Sequence, residues 1–156
     1  MRGSMVGIVL AASLAGQALA QTPGAAVEAT TNHFTDAVNH GDMAGALGDL
    51  GPAPTIVDDL APYRWQGAGA GGAWMAAMGA NAQARGMTVI NMRIAKASRI
   101  EVSGAGAYAV VPGALTYTFK DGHTEHAEGA LTFALQRLGE AWKIDALTWT
   151  GPREKP

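Results

Sequence analysis

At Gly86 the apolar pattern of this chain changes period, and that change constrains the fold more than any other feature. Before it, apolar residues recur at helical spacing. After it they alternate, the signature of half-buried strands. Residues 25–40 read as a helix, with Val27, Thr31, Phe34 and Val38 on one face and Gly41 as its stop. Asp42 N-caps a second, shorter helix that is expected to bury Met43, Leu47 and Leu50 and to end at residues 51–54. Residues 55–59 read as a short strand. Pro62 turns the corner, and 63–66 resumes an extended path. A glycine-rich loop, 67–72, leads to a third helix over 73–85, with Trp74, Met75, Met78 and Ala82 as its stripe.

Beyond Gly86 the reading is a meander. Residues 87–102 alternate, with an irregularity at Ala97-Ser98, and 104–106 turn. Residues 107–120 form a long strand, bulged or bent at Pro112-Gly113. Asp121-Gly122 signals a two-residue hairpin turn into 123–138. After a turn at Gly139-Glu140, residues 141–150 make the last strand. Helices gathered ahead of an antiparallel meander predict an α+β domain, a curved mixed sheet closed by three helices. A sheet curved in this way encloses a cone, the kind of cavity small molecules occupy.

Composition narrows the function classes. A hydrophobic fraction of 48 % over 156 residues suffices for one domain with its own core. Without cysteine there is no disulfide, thiolate nucleophile or thiolate-bound zinc. Eleven basic and thirteen acidic residues are scattered, so no basic patch suggests nucleic acid. The start of the chain reads as a cleaved leader over 1–20: Arg2, an apolar run from Met5 to Ala15, and an Ala18-Leu19-Ala20 cleavage site. The run is too short to span a bilayer. The expectation is an exported protein, periplasmic or secreted, with one domain over 21–151 and a polar tail over 152–156.

The richest stretch chemically is 54–78, where acidic and aromatic groups crowd a change of direction. Asp58 and Asp59 are adjacent, so on a strand at most one of them faces a cavity. One reading is a base or ligand anchor. The other is a strand-end carboxylate that caps backbone or pairs with Arg64. Tyr63, Trp65 and Trp74 are candidate pocket walls, with Phe34 and Met78 beside them. A two-residue hairpin turn would set Tyr117 opposite His126 and Leu115 opposite Glu128. Tyr117, His126 and Glu128 would then share a face. That group is either an acid–base set or the solvated, dimer-facing side of the sheet. A metal is not expected. His33 and His40 are seven apart on a helix, His123 and His126 point to opposite faces, and no H-E-x-x-H occurs. The run G-A-G-A-G-G lacks the Lys-Ser/Thr of a phosphate loop.

Three pieces in order, F-T-D-A-V-N-H-G-D-M-A-G-A-L, T-I-V-D-D-L-A-P-Y-R-W-Q-G and A-W-K-I-D-A-L-T-W, carry a resemblance. The mature chain resembles the nuclear transport factor 2-like superfamily, which includes SnoaL-like cyclases and ketosteroid isomerases. The resemblance implies a cone-shaped fold, no cofactor, and a homodimer formed through the sheet. It also places Asp59 where ketosteroid isomerases carry their proton-shuttling carboxylate. Their tyrosine donor falls at Phe34, which has no hydroxyl, and their acidic donor falls near Thr132. Three functions fit. The first is an exported protein holding a small apolar molecule. The second is a cofactor-free isomerase, cyclase or lyase with Asp59 as base and Tyr63, or Tyr117 with His126, as electrophilic partners. The third is a pure interaction module with a filled cone.

Overall fold

The computed structural model describes residues 22–151. The leader expected at 1–20 and the tail expected at 152–156 lie outside the described residues. The element order is α1 (Pro23–His40), α2 (Met43–Asp49), β1 (Leu50–Val57), β2 (Arg64–Gln66), α3 (Ala70–Arg85), β3 (Met87–Ile94), β4 (Arg99–Ser103), β5 (Gly106–Phe119), β6 (Thr124–Leu138) and β7 (Ala141–Thr150). The seven strands form one sheet in the order β2-β1-β7-β6-β5-β3, with β4 on the other half of β5. β1 runs parallel to β7 and the remaining pairs are antiparallel. This is the expected α+β architecture, with a mixed sheet and three helices. Among the described residues no helix is long and apolar enough to cross a membrane.

α1 starts at Pro23, earlier than expected, because proline is tolerated in the first helical turn and the Thr22 hydroxyl accepts from the Ala25 N–H. Gly41 ends it with φ 70°. Its buried face holds Val27, Thr31, Phe34, Thr35 and Ala37. The two threonines are tolerated there because their hydroxyls donate to the carbonyls of Glu28 and Thr31.

α2 departs from expectation. Asp42 caps it through the Gly45 N–H at 2.9 Å. Its buried residue, however, is Ala46, while Met43 and Leu47 are about two-fifths exposed. Leu50 is buried as the first residue of β1. The strand thus absorbs Pro52 and Pro54, which were expected to end the helix. They fit because the β1–β7 pairing is interrupted between Leu50 and Thr55, where a missing N–H breaks no ladder bond. α3 likewise starts at Ala70, after Gly69 at φ 82°.

The β5–β6 hairpin is also corrected. The Phe119 N–H donates to the His123 carbonyl, and the Gly122 N–H to that of Phe119, both at 3.0 Å. Lys120, Asp121 and Gly122 therefore make a three-residue loop, with Gly122 at φ 89°. The extra residue slides the register by one, so Tyr117 pairs with Glu125, His126 with Thr116, and Glu128 with Ala114. A one-residue slip exchanges the faces. The register then runs unbroken through Pro112 and Gly113, without the expected bulge. The inner face pairs Val111 with Leu131 and Ala109 with Phe133. It joins Ile56, Ile144 and Val27 in a core under α1 and α3.

An exposed pair ties α1 to the end of α2. His33 Nδ1 lies 2.6 Å from Asp49 Oδ2. That hydrogen bond, then the Asp49 charge, raises the His33 pKa above 6.5, with Asp42 and Asp36 adding to it. A raised folded-state pKa means the contact stabilises the fold below the unfolded value. The contribution is lost as pH rises through the folded value. The expected result is an NMR titration midpoint for His33 above 6.5. Asp49→Asn should return it toward that value, and an unchanged midpoint would show that the pair does not form.

Candidate functional site

The inner face of the sheet and the helices enclose a cavity of about 500 Å³, within the usual range for small-molecule sites. Leu115, Leu131, Leu147 and Trp149 form its floor on β5, β6 and β7. Phe34 and Val38 of α1, and Trp74, Met75 and Met78 of α3, close it from the other side. The cone is open rather than filled. Met43, Met75, Met78, Met87 and Met92 all border it, and these are all the methionines among the described residues. Its charged borders are Asp58, Asp59 and Arg85.

Both aspartates reach the cavity because β1 stops at Val57. Strand alternation no longer governs residues 58 and 59, which corrects the expectation that at most one faces inward. Asp58 is half-buried and fixed on both oxygens. Its Oδ1 accepts from the Leu60 N–H at 2.9 Å, and its Oδ2 accepts from Trp74 Nε1–H at 2.8 Å. Arg64 bonds Gln66 rather than either aspartate in the contacts resolved at its guanidinium. Asp59 stands on the rim, exposed to solvent.

Phe34, Asp58, Asp59, Trp74, Met78 and Tyr117 therefore converge on one cavity. The other expected wall and site residues do not border it. Tyr63 is 62 % exposed and takes φ 72° beyond the cis Ala61–Pro62 corner. Trp65 is buried in the core from β2. His126 and Glu128 lie on the outer face of the sheet, where His126 Nδ1 contacts Thr116 Oγ1 at 3.1 Å. The register slip thus separates Tyr117 from His126. Phe34 lies parallel to Trp74 at 6.4 Å and meets Phe133 edge-on at 6.2 Å. It serves as a packing ring where the resemblance implies a donor. Thr132 pairs with Val110 and Thr148, away from the cavity. Neither implied oxyanion donor is therefore supplied. Among the described residues no group of three or more His, Asp or Glu side chains could hold a metal ion.

Arg85 is a cavity residue that the sequence reading missed. Its guanidinium donates to Glu125 at 3.1 Å and lies 5.9 Å from the Tyr117 ring centroid. Extending the Trp74–Met78–Ala82 stripe by one helical step reaches it. Asn39 was missed as well. It clasps β3 to α1, donating to the Met92 carbonyl at 2.6 Å and accepting from the Met92 N–H at 2.8 Å. Trp149, from the last strand, also borders the cavity. Its six-membered ring lies against Gly129, where a Cβ would collide with it at 2.7 Å, and over Gly113, where a Cβ would meet it at an ordinary 3.7 Å.

No protein-family model and no curated protein matches the chain. Solved structures do. A nuclear transport factor 2-like superfamily protein from Salmonella enterica is 15 % identical with a TM-score of 0.66, covering 83 % of this chain and 91 % of that one. A ketosteroid isomerase-like protein from Erwinia carotovora atroseptica is 15 % identical with a TM-score of 0.64, over 84 % and 97 %. A hexachlorocyclohexane dehydrochlorinase, LinA-type3, from Novosphingobium barchaimii is 12 % identical with a TM-score of 0.67, over 83 % and 86 %. At these identities the likeness is one of fold.

Proposed function

We propose that this chain uses its nuclear transport factor 2-like fold to hold a small, largely apolar molecule in the cone, as an exported protein dimerising through the outer face of its sheet. The observation that carries this reading is the open cavity of about 500 Å³, apolar over most of its wall with a few charged groups at its border. Water in such a space is displaced favourably by apolar surface. The test is a thermal-shift screen of the chain from residue 21 onward against hydrophobic carbonyl compounds and hydroxylated aromatics. A ligand at 100 times its dissociation constant stabilises the native state by about 2.7 kcal/mol. A clear rise in melting temperature supports the reading. A flat response across chemically diverse ligands would turn it toward an interaction module.

The position of Asp59 favours a second reading, a cofactor-free isomerase, cyclase or lyase. A carboxylate at the mouth of an apolar pocket is placed to take a proton from a bound carbon acid. For a compound that both binds and turns over, Asp59→Asn should abolish turnover while the melting shift persists. Equal rates in the two proteins would retire Asp59 as the base. Against this reading stand Phe34 and Thr132, which leave the developing oxyanion without the expected donors.

A further inference from the structure

We propose that the molecule held in this cavity is an organic cation: an apolar body ending in a protonated amine that docks on Asp58. The proposal rests on the cavity being the binding site, and it names the ligand's head group. Three features of the wall lead to it.

The first is charge. Asp58, Asp59 and Arg85 border the cavity, and the Arg85 guanidinium is bonded to Glu125 at 3.1 Å. The border itself holds two carboxylates and one cation, and Glu125 behind Arg85 also lies 3.7 Å from His123 Nε2. Whatever else Arg85 reaches, the border keeps an excess of negative charge. A carboxylate or phosphate on the ligand would be repelled, and a cation attracted.

The second is the state of Asp58. Bonds from the Leu60 N–H and from Trp74 Nε1–H hold both oxygens in place. An ionised carboxylate offers about four lone-pair sites, so two bonds leave capacity on each oxygen. It accepts only, so the group meeting it must donate. A charged donor makes the shorter and stronger bond. Because Asp58 is already oriented, little ordering is needed when the ligand arrives.

The third is the remaining wall. Five methionines border the cavity, together with Phe34, Trp74 and Trp149. Methionine side chains are unbranched and rotate freely, and their sulfurs meet aromatic rings favourably. Such a wall adapts to many bodies, aromatic ones included, and selects weakly among their shapes. Selectivity then resides in the head group.

The test is isothermal titration of the protein at neutral pH and low salt with four compounds. They are naphthylmethylamine, naphthalenemethanol, naphthoate and the saturated decalin methylamine. The naphthyl amine should bind about tenfold more tightly than the alcohol, the difference one charged hydrogen bond supplies. Naphthoate should not bind. The decalin amine should lie within a few-fold of the naphthyl amine. Added salt should narrow the gap between amine and alcohol. If the alcohol or naphthoate matches the amine, the head-group assignment is overturned while the cavity reading stands. If none of the four binds, the head-group assignment falls, and the cavity reading falls with it only if the diverse thermal-shift screen is also flat. Asp58→Asn should collapse the preference for amine over alcohol. A variant that melts like the parent and keeps the preference overturns the docking on Asp58. Should that variant not fold, the four-compound series decides alone.

Discussion

Phe133→Ala should destabilise the protein by about 3–5 kcal/mol, the range for deleting a buried aromatic. Phe133 is fully buried, on β6 between β5 and β7. Its cross-strand neighbours are Ala109 and Leu147, and Phe34 meets it edge-on from α1. Ala109 is too small to fill the space, and the ladders on both sides hold the backbone still. The void therefore persists and the full cavity cost is felt. Urea unfolding reads the loss as a lower midpoint with an unchanged m-value. In a chain of this size the melting temperature should fall by roughly 10 °C. A loss under about 1 kcal/mol would place Phe133 on the outer face and contradict the β5–β6 register.

Gly129→Val should cost about 3 kcal/mol, at the upper end of overpacking. A Cβ at this position would lie 2.4 Å from the Thr150 carbonyl oxygen, 2.7 Å from Trp149 Cζ2 and 2.9 Å from the Gly151 Cα. Two of those obstacles are backbone, so β6 must part from the end of β7. The Trp149 ring must also leave its place over Gly113, which alters the cavity floor. The expected signature is a lower urea midpoint together with a changed tryptophan emission in the folded state. Gly48→Ala is the contrast. That glycine is helical with open space around its Cβ position, so the change should be neutral or stabilise by up to about 1 kcal/mol. Equal stability for the two variants would mean that Trp149 is not seated on the glycines.

The fold was legible because its signals are local. The change of period at Gly86, the Asp42 cap and the glycine stops at 41 and 86 each act within a few residues. The β5–β6 register is not local in that sense. Asp121-Gly122 suits a two-residue loop and a three-residue loop alike, and the choice moves every later pair. A usable signal did exist. The expected register sets Leu115 against Glu128, whereas the observed one sets it against Ala127 and matches Val111 with Leu131. Apolar pairing over the length of two long strands outweighs the preference of one turn.

The candidate site was half legible for a related reason. Asp58, Asp59 and Trp74 belong to one short stretch and could be read together. The methionines come from α2, α3 and β3, and only the topology gathers them. Tyr63 and Trp65 share the stretch with the aspartates, but the corner at Pro62 and the brief β2 carry them elsewhere. The sequence pattern suggests a bulge or bend at Gly113. The strand instead runs straight through it, with the Arg93 carbonyl close by, and it is Gly129 that an indole approaches, a role that depends on a partner twenty residues away.

α3 has a further consequence, for the way anything enters or leaves. It is the wall that carries Trp74, Met75, Met78 and Arg85, and it is intrinsically weak. Gly71, Gly72 and Gly79 lie inside it, and its N-terminus has no side-chain cap. Each internal glycine costs about 1 kcal/mol relative to alanine. The helix therefore owes its persistence to what it packs against. Backbone amides of α3 should exchange with deuterated solvent sooner than those of β6, through opening events smaller than global unfolding. If α3 opens in this way, the wall that carries Trp74, Met75, Met78 and Arg85 is the part of the cone that yields first.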